Sequence, residues 1–200
     1  RHYNYDALNQ RSNRVAGALE ALDARPGDVL GVWMENRPEY LFSMFGANKA
    51  GVVSSLINCQ IRGRQLVHAV EACEPRWLLV GAELLPALEE VIDGLPLARE
   101  SILIWSEGAP QKRPSRTRSF NDIFVTATTD NPAGTASRRT DEAMLYMYTS
   151  GTTGLPKAAV VTNQRYLRAS LLFGRALLRL KASDVSYVPL PLYHATGNMA

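Results

Sequence analysis

The chain has 200 residues, of which 46% are hydrophobic and 20% are charged. This composition supplies enough apolar surface for one substantial core and excludes a chain that is disordered by composition. The formal net charge of +3 is too small to indicate a nucleic-acid-binding surface, and no apolar run approaches the length of a membrane span.

The cysteines and the two ends of the chain add further expectations. Cys59 and Cys73 stand apart, without a Cys-x-x-Cys pair or histidines at metal-ligand spacing, so we expect two reduced thiols and no bound metal. We expect no signal peptide within these 200 residues. It begins at Arg1 and ends at Ala200 without a capping signal, so we expect a truncated part of a longer protein. An upstream span is left open, and the expected setting is cytoplasmic or membrane-associated.

The first half of the chain alternates between helix and strand patterns. Apolar residues recur at helical spacing from Asn4, a candidate N-cap, to Leu22. Further helices are predicted at about 38–50, 64–73 and 83–91, and buried strands at 29–34, 52–57, 77–80 and 102–105. Such an alternation predicts an α/β fold with a mostly parallel sheet flanked by helices.

The pattern breaks between residues 106 and 141, where Gly, Pro, Ser, Thr and basic residues dominate. We expect an irregular, basic loop there. Four basic residues lie close together in it: Lys112, Arg113, Arg116 and Arg118. A solvated loop explains them most simply, and peripheral contact with anionic lipid headgroups is the alternative.

The stretch from Tyr148 to Lys157 is the most informative part of the chain. It reads Tyr-Thr-Ser-Gly-Thr-Thr-Gly-Leu-Pro-Lys, between a strand predicted at 143–148 and a second strand predicted at 158–161. Its hydroxyls, backbone N–H groups and single lysine suit an anion with many oxygens, so it predicts a polyphosphate site. A flexible linker has a similar composition, but the flanking strands and Pro156 disfavour that interpretation.

The residues after this loop distinguish it from a Walker A motif. No Gly-Lys-Ser/Thr opens a helix directly after the loop, and the next helix is predicted only at 163–180, with Thr162 as its N-cap. Four arginines form one stripe of that helix, which we interpret as its solvent-facing side: Arg165, Arg168, Arg175 and Arg179.

The last motif is Pro-Leu-Pro-Leu-Tyr-His, which ends at His194 and is followed by Gly197 and Asn198. A lone histidine after an aromatic residue is more often structural than catalytic. The residues alone therefore leave the role of His194 open.

Together, the two motifs resemble those of the adenylate-forming superfamily, which includes acyl-CoA synthetases, firefly luciferase and the adenylation domains of peptide synthetases. Residues 148–157 are similar to its phosphate-binding loop over nearly all ten positions, and Pro-Leu-Tyr-His with Gly-Asn resembles its next core motif. Most members have Gly after the lysine, whereas Ala158-Ala159 here is similar to the fatty acid transport protein and very-long-chain acyl-CoA synthetase branch. The resemblance implies that residues 1–200 are a truncated N-terminal AMP-binding domain, a partial large domain.

The resemblance also implies a reaction. A fatty acid–CoA ligase (AMP-forming) activates a long- or very-long-chain fatty acid with ATP, through an acyl-adenylate, and passes the acyl group to coenzyme A. Mg²⁺ would arrive with the nucleotide. Fatty acid, ATP and coenzyme A are the implied partners, with no nucleic acid, and coupling to fatty acid uptake is left open.

Site residues follow from the same resemblance. Lys157 would neutralise the departing pyrophosphate, and His194 would border the acyl and adenylate pocket with Tyr193 and Gly197. The implied nucleotide-binding residues are those of the whole loop: Tyr148, Thr149, Ser150, Gly151, Thr152, Thr153, Gly154, Leu155, Pro156 and Lys157.

Two other functions compete with this interpretation. One is a lipid-uptake or carrier protein with vestigial nucleotide binding. The other is a phosphotransferase or NTPase, which the missing Walker A signature and kinase-type glycine loop disfavour. By resemblance, the motifs that hold adenine, ribose and the lysine of the adenylation step fall after Ala200, so we expect residues 1–200 alone not to catalyse the full reaction.

Overall fold

A computed structural model describes residues 2–106, 112–149 and 157–199. Its strands are β1 (Val29–Trp33), β2 (Val53–Leu56), β3 (Trp77–Gly81), β4 (Ile102–Trp105), β5 (Arg118–Ser119), β6 (Ala143–Thr149) and β7 (Lys157–Thr162). They form one sheet in the order β5-β4-β3-β1-β2-β6-β7. The pairs from β5 to β6 are parallel, and β6 pairs with β7 antiparallel. The predicted α/β fold with a mostly parallel sheet is confirmed.

Seven α-helices accompany the strands in the described ranges: α1 (Tyr5–Ala21), α2 (Pro38–Lys49), α3 (Gly63–Glu71), α4 (Leu85–Glu89), α5 (Phe120–Thr126), α6 (Asn163–Leu171) and α7 (Ala195–Asn198). Asn4 caps α1 as predicted, because its side chain accepts a hydrogen bond from the Ala7 N–H at 2.8 Å. Within the same ranges, every helix is too short or too polar to cross a bilayer.

The strands separate two hydrophobic clusters, one on each face of the sheet. Successive side chains of a strand pack in opposite clusters. In β3, Leu79 packs in the cluster formed with α1, α2 and α5, whereas Leu78 and Val80 pack in the cluster formed with α3 and α4. Burial on both faces explains why these strands appear in the sequence as continuous apolar runs. At Gly46 on α2 an added Cβ would lie 2.5 Å from the Ser12 carbonyl oxygen of α1, so glycine permits the close approach of these helices.

The expectation of an irregular loop over 106–141 is wrong for residues 118–126. Arg118–Ser119 forms the edge strand β5, and α5 follows directly, capped by the Ser119 hydroxyl. Phe120 and Phe124, one helical turn apart, pack against the Trp105 ring at centroid distances of 4.9 and 5.0 Å. Two aromatic side chains therefore order a segment whose composition is typical of a loop.

The helix predicted at 163–180 is shorter and differently packed. After its N-cap Thr162, α6 ends at Leu171 and continues as a π-helical segment, Leu172–Leu177. The four arginines of the predicted stripe are exposed, as expected. Its leucines are exposed as well, including Leu167 and Leu171. No residue of α6 is fully buried, and Tyr166 packs partly buried against the core.

Candidate functional site

Strands β6 and β7 hold the two ends of the loop motif together. They pair antiparallel, and Thr149 is the Cα partner of Lys157. The Thr149 hydroxyl also donates to the Lys157 carbonyl oxygen at 3.4 Å. Both side chains are exposed, so the Lys157 ammonium is available to a ligand at this end of the sheet. The other proposed loop residues, Ser150, Gly151, Thr152, Thr153, Gly154, Leu155 and Pro156, lie outside the described residues.

The hydroxyl of Tyr148 points into the protein. It donates to the Ala69 carbonyl oxygen of α3 at 2.5 Å, and it lies 2.9 Å from the Ser55 hydroxyl and 3.1 Å from the Cys73 sulfur. Burial raises the pKa of Tyr148 far above its ordinary value, so the hydroxyl stays protonated and remains a donor. These contacts link the strand that leads into the loop to α3.

Removing this hydroxyl tests the link. We expect Tyr148→Phe to lower the free energy of unfolding by about 1–2 kcal/mol, because the buried Ala69 carbonyl oxygen keeps only the weak donor of the Cys73 thiol. Urea unfolding followed by circular dichroism measures the difference. Tyr187→Phe is the matched control, since Tyr187 is 88% exposed. An equal effect of the two substitutions would contradict a specific role for the Tyr148 contacts.

The histidine motif forms a short turn at the start of α7. Tyr193 is buried, His194 is exposed, and their ring centroids lie 4.6 Å apart. The His194 N–H donates to the Pro191 carbonyl oxygen, and the Gly197 N–H donates to the His194 carbonyl oxygen, both at 3.1 Å. Gly197 is buried, and an added Cβ there would lie 2.4 Å from the Pro191 carbonyl oxygen.

Asn36 and Tyr166 attach this motif to the rest of the fold, and Asn198 closes it internally. Asn36, just after β1, donates through Nδ2 to the Leu190 carbonyl oxygen at 3.0 Å and accepts through Oδ1 from the Leu192 N–H at 2.9 Å. Asn198 donates to the Leu192 carbonyl oxygen at 2.9 Å, and the Tyr166 hydroxyl of α6 donates to the Asn198 carbonyl oxygen at 3.2 Å.

Sequence reasoning missed Asn36 and Tyr166. Asn36 lies in Glu-Asn-Arg immediately after a buried strand, which is a common position for functional side chains at the carboxyl edge of a parallel sheet. That position was the one available signal. No local pattern distinguishes Tyr166 from other helical tyrosines.

The cysteines offer no activated nucleophile. Both are free thiols; Cys73 is buried and Cys59 is half-buried. Burial raises the pKa of each thiol. Within residues 2–106, 112–149 and 157–199, no group of three or more His, Cys, Asp or Glu side chains could hold a metal ion.

Comparisons with known proteins agree on one family. The family model described as "AMP-binding enzyme" matches residues 1–200. Long-chain fatty acid transport protein 6 of Mus musculus is 34% identical over 201 residues, which are 98% of this chain and 31% of the relative. The medium/long-chain-fatty-acid–CoA ligase FadD6 of Mycobacterium tuberculosis is 34% identical over 199 residues, with 95% and 30% coverage. The chain thus spans about 30% of the length of these relatives.

Solved structures agree on the fold. The anthranilate CoA ligase AuaEII, solved with anthranoyl-AMP, aligns with a TM-score of 0.87 and 29% identity over 98% of this chain and 37% of its own. ATP-bound MatB from Rhodopseudomonas palustris aligns with a TM-score of 0.79 at 24% identity over 98% of this chain and 36% of its own, a likeness of fold alone. The predicted resemblance is confirmed, and the chain belongs to the AMP-binding enzyme family.

Proposed function

We propose that this chain is part of an AMP-forming ligase that activates a long- or very-long-chain fatty acid. The observation that carries the proposal is the paired anchor Thr149–Lys157 at the ends of a family phosphate-loop sequence. This pair places the exposed Lys157 ammonium at the end of a segment whose sequence is rich in N–H and hydroxyl donors. Such a donor set matches a triphosphate.

In the proposed reaction, a carboxylate oxygen of the fatty acid attacks the α-phosphorus of ATP. The bond from the α-phosphorus to the bridging oxygen breaks, and pyrophosphate leaves with its electron pair. The thiol of coenzyme A then attacks the acyl carbon, loses its proton and displaces AMP. Phosphoryl transfer needs charge stabilisation more than covalent chemistry, so the exposed Lys157 ammonium is well suited to the charge that develops on pyrophosphate.

We propose that His194 and Gly197 form the part of the site that binds the fatty acid. The exposed His194 ring would border the acid and the adenylate, while buried Tyr193 and Gly197 hold its backbone turn in place. Tyr148 stays a proposed nucleotide-binding residue, while its hydroxyl is hydrogen-bonded to the Ala69 carbonyl oxygen of α3.

The relatives support a fatty acid as the substrate. The curated relatives at 34–36% identity include long-chain fatty acid transport proteins and a medium/long-chain-fatty-acid–CoA ligase. The anthranilate CoA ligase is less similar in sequence, at 29% identity, and makes an aromatic acid the competing substrate class. Peripheral membrane contact through the basic residues near Arg113 remains part of the proposal, as does a cytoplasmic or membrane-associated setting.

A lipid carrier with vestigial nucleotide binding is the second candidate, because several relatives are named as transport proteins. The two functions differ in one measurable step. Acid-dependent exchange of labelled pyrophosphate into ATP, with coenzyme A omitted, requires a reversible adenylation.

The test uses the protein expressed at full length and a chain-length series of fatty acids, with anthranilate alongside. We expect exchange that requires the acid and is fastest with long or very long chains. Faster exchange with anthranilate than with any fatty acid would indicate an aromatic acid as the substrate instead. Proven ATP binding without exchange for any acid would favour the carrier.

A further inference from the structure

We propose that Asn36 is a positioning residue, which fixes the backbone before His194 and so sets the place of the acid in the site. This inference rests on the proposed function, since it concerns the same adenylation step. Asn36 does not touch the reacting atoms in this proposal. It acts through the turn that carries Tyr193 and His194.

The contact is a two-point clamp on the main chain. The Asn36 side-chain amide binds the carbonyl oxygen of Leu190 and the N–H of Leu192, the residues on either side of Pro191. The amide donates one hydrogen bond to the main chain and accepts another, as a neighbouring β-strand would. Two such bonds fix the orientation of the main chain at residues 190–192 as well as its distance from Asn36. The clamp spans 154 residues of sequence and connects the end of β1 to the histidine motif.

Glu83 holds the residues on either side of Asn36. One Glu83 carboxylate oxygen accepts the Glu35 N–H at 2.9 Å, and the other pairs with the Arg37 guanidinium at 2.8 Å. Both bonds flank Asn36 in the chain. An added Cβ at Gly81 would lie within 2.1–2.5 Å of the Glu83 carboxyl group, so glycine leaves room for Glu83 to fold back. The position of Asn36 is therefore fixed from both sides.

Among the described residues, the segment before Leu192 is largely exposed and packs little against the rest of the fold. Val185 and Tyr187 are 96% and 88% exposed, and Leu190 is 44% exposed. Hydrogen bonds to Asn36 and Asn198 hold Leu192, directly before buried Tyr193. Because Asn36 is exposed and adds little apolar burial, its loss should loosen this turn more than it destabilises the fold.

Two substitutions separate the parts of the clamp. Asn36→Ala removes both hydrogen bonds. Asn36→Asp keeps the acceptor for the Leu192 N–H but places a carboxylate oxygen against the Leu190 carbonyl oxygen. The Asp variant therefore leaves the Leu190 carbonyl oxygen without its donor and adds a repulsion, so it should loosen the turn at least as much as the Ala variant does.

The matched control is Asn121→Asp, at the other side of the sheet. Asn121 makes the same kind of clamp, because its side chain accepts the Ser106 N–H and donates to the Ser106 carbonyl oxygen, both at 2.9 Å. It binds β4 to α5, away from the histidine motif. A purely structural effect would be similar for Asn36→Asp and Asn121→Asp.

The experiment measures acid-dependent pyrophosphate exchange and amide hydrogen exchange over residues 189–199 of the protein at full length. For Asn36→Ala we expect the KM of the fatty acid to rise about tenfold, with the KM of ATP changed less than about twofold, and faster amide exchange at Leu192. Asn36→Asp should raise the KM of the fatty acid at least as much, and Asn121→Asp should leave both KM values unchanged.

The outcomes separate this inference from the proposed function. Exchange by the wild-type protein, with unchanged acid KM or unchanged Leu192 protection in Asn36→Ala, would overturn the role of Asn36 alone. An equal rise in the KM of both substrates would also overturn it. Absence of exchange in the wild-type protein with every acid would overturn the proposed function and the positioning role together.

Discussion

Replacement of Lys157 by alanine is expected to lower the rate of acid-dependent pyrophosphate exchange by about 10²–10³-fold. This is the usual effect of deleting one preorganised group that stabilises developing charge. Lys157 begins β7 and is paired with Thr149, so its backbone position is fixed by the sheet while its side chain is exposed. The measurement is the initial rate of exchange at saturating ATP and fatty acid.

Two further variants define what Lys157 supplies. Lys157→Arg keeps the charge but changes its shape and reach, so an intermediate loss of about tenfold is expected. Lys181→Ala removes an exposed lysine that belongs to neither motif and should leave the rate unchanged. A rate for Lys157→Ala within about twofold of wild type would exclude Lys157 from the adenylation step.

The second large effect is expected at Gly197. In Gly197→Ala the new Cβ would lie 2.4 Å from the Pro191 carbonyl oxygen and 2.9 Å from that of Leu190. Both atoms belong to the main chain, so the turn before His194 must shift to admit the methyl group. Overpacking of this kind costs about 1–3 kcal/mol, and we expect the adenylation rate to fall about 10- to 100-fold.

Gly174→Ala is the matched control for Gly197, because an added Cβ at Gly174 meets nothing within 4 Å. That variant should retain wild-type adenylation. Measurement of kcat and the acid KM for both variants, with urea unfolding, distinguishes a displaced turn from global loss of structure. Wild-type kinetics for Gly197→Ala would show that the position of this turn does not matter for the reaction.

Strands β1–β4 could be predicted because they are buried on both faces of the sheet. Ile102–Trp105 and Trp77–Gly81 are almost continuously apolar, and each is followed by a change in periodicity. Helix α5 could not be predicted in the same way. It has only seven residues and lies in a polar stretch, so the helical spacing of Phe120, Ile123 and Phe124 was the one signal for it. In the folded protein Phe120 and Phe124 pack against Trp105.

One part of the candidate site could be predicted from the sequence, and another part could not. The residues from Thr149 to Lys157 are contiguous, so their chemistry can be interpreted directly from sequence. The contacts of Tyr148 with Ala69 and of Asn36 with Leu190 join residues that are 79 and 154 positions apart. No local pattern encodes which partner such a side chain finds, because the topology of the sheet brings the partners together.

The most direct test of the proposed adenylation follows oxygen atoms. The protein at full length is given ATP, coenzyme A and a long-chain fatty acid with ¹⁸O in both carboxyl oxygens, and the products are analysed by mass spectrometry. Attack of the carboxylate on the α-phosphorus predicts one ¹⁸O in AMP and one in the acyl-CoA. Unlabelled AMP, or ADP with ¹⁸O in inorganic phosphate, would contradict an acyl-adenylate and therefore the central proposal.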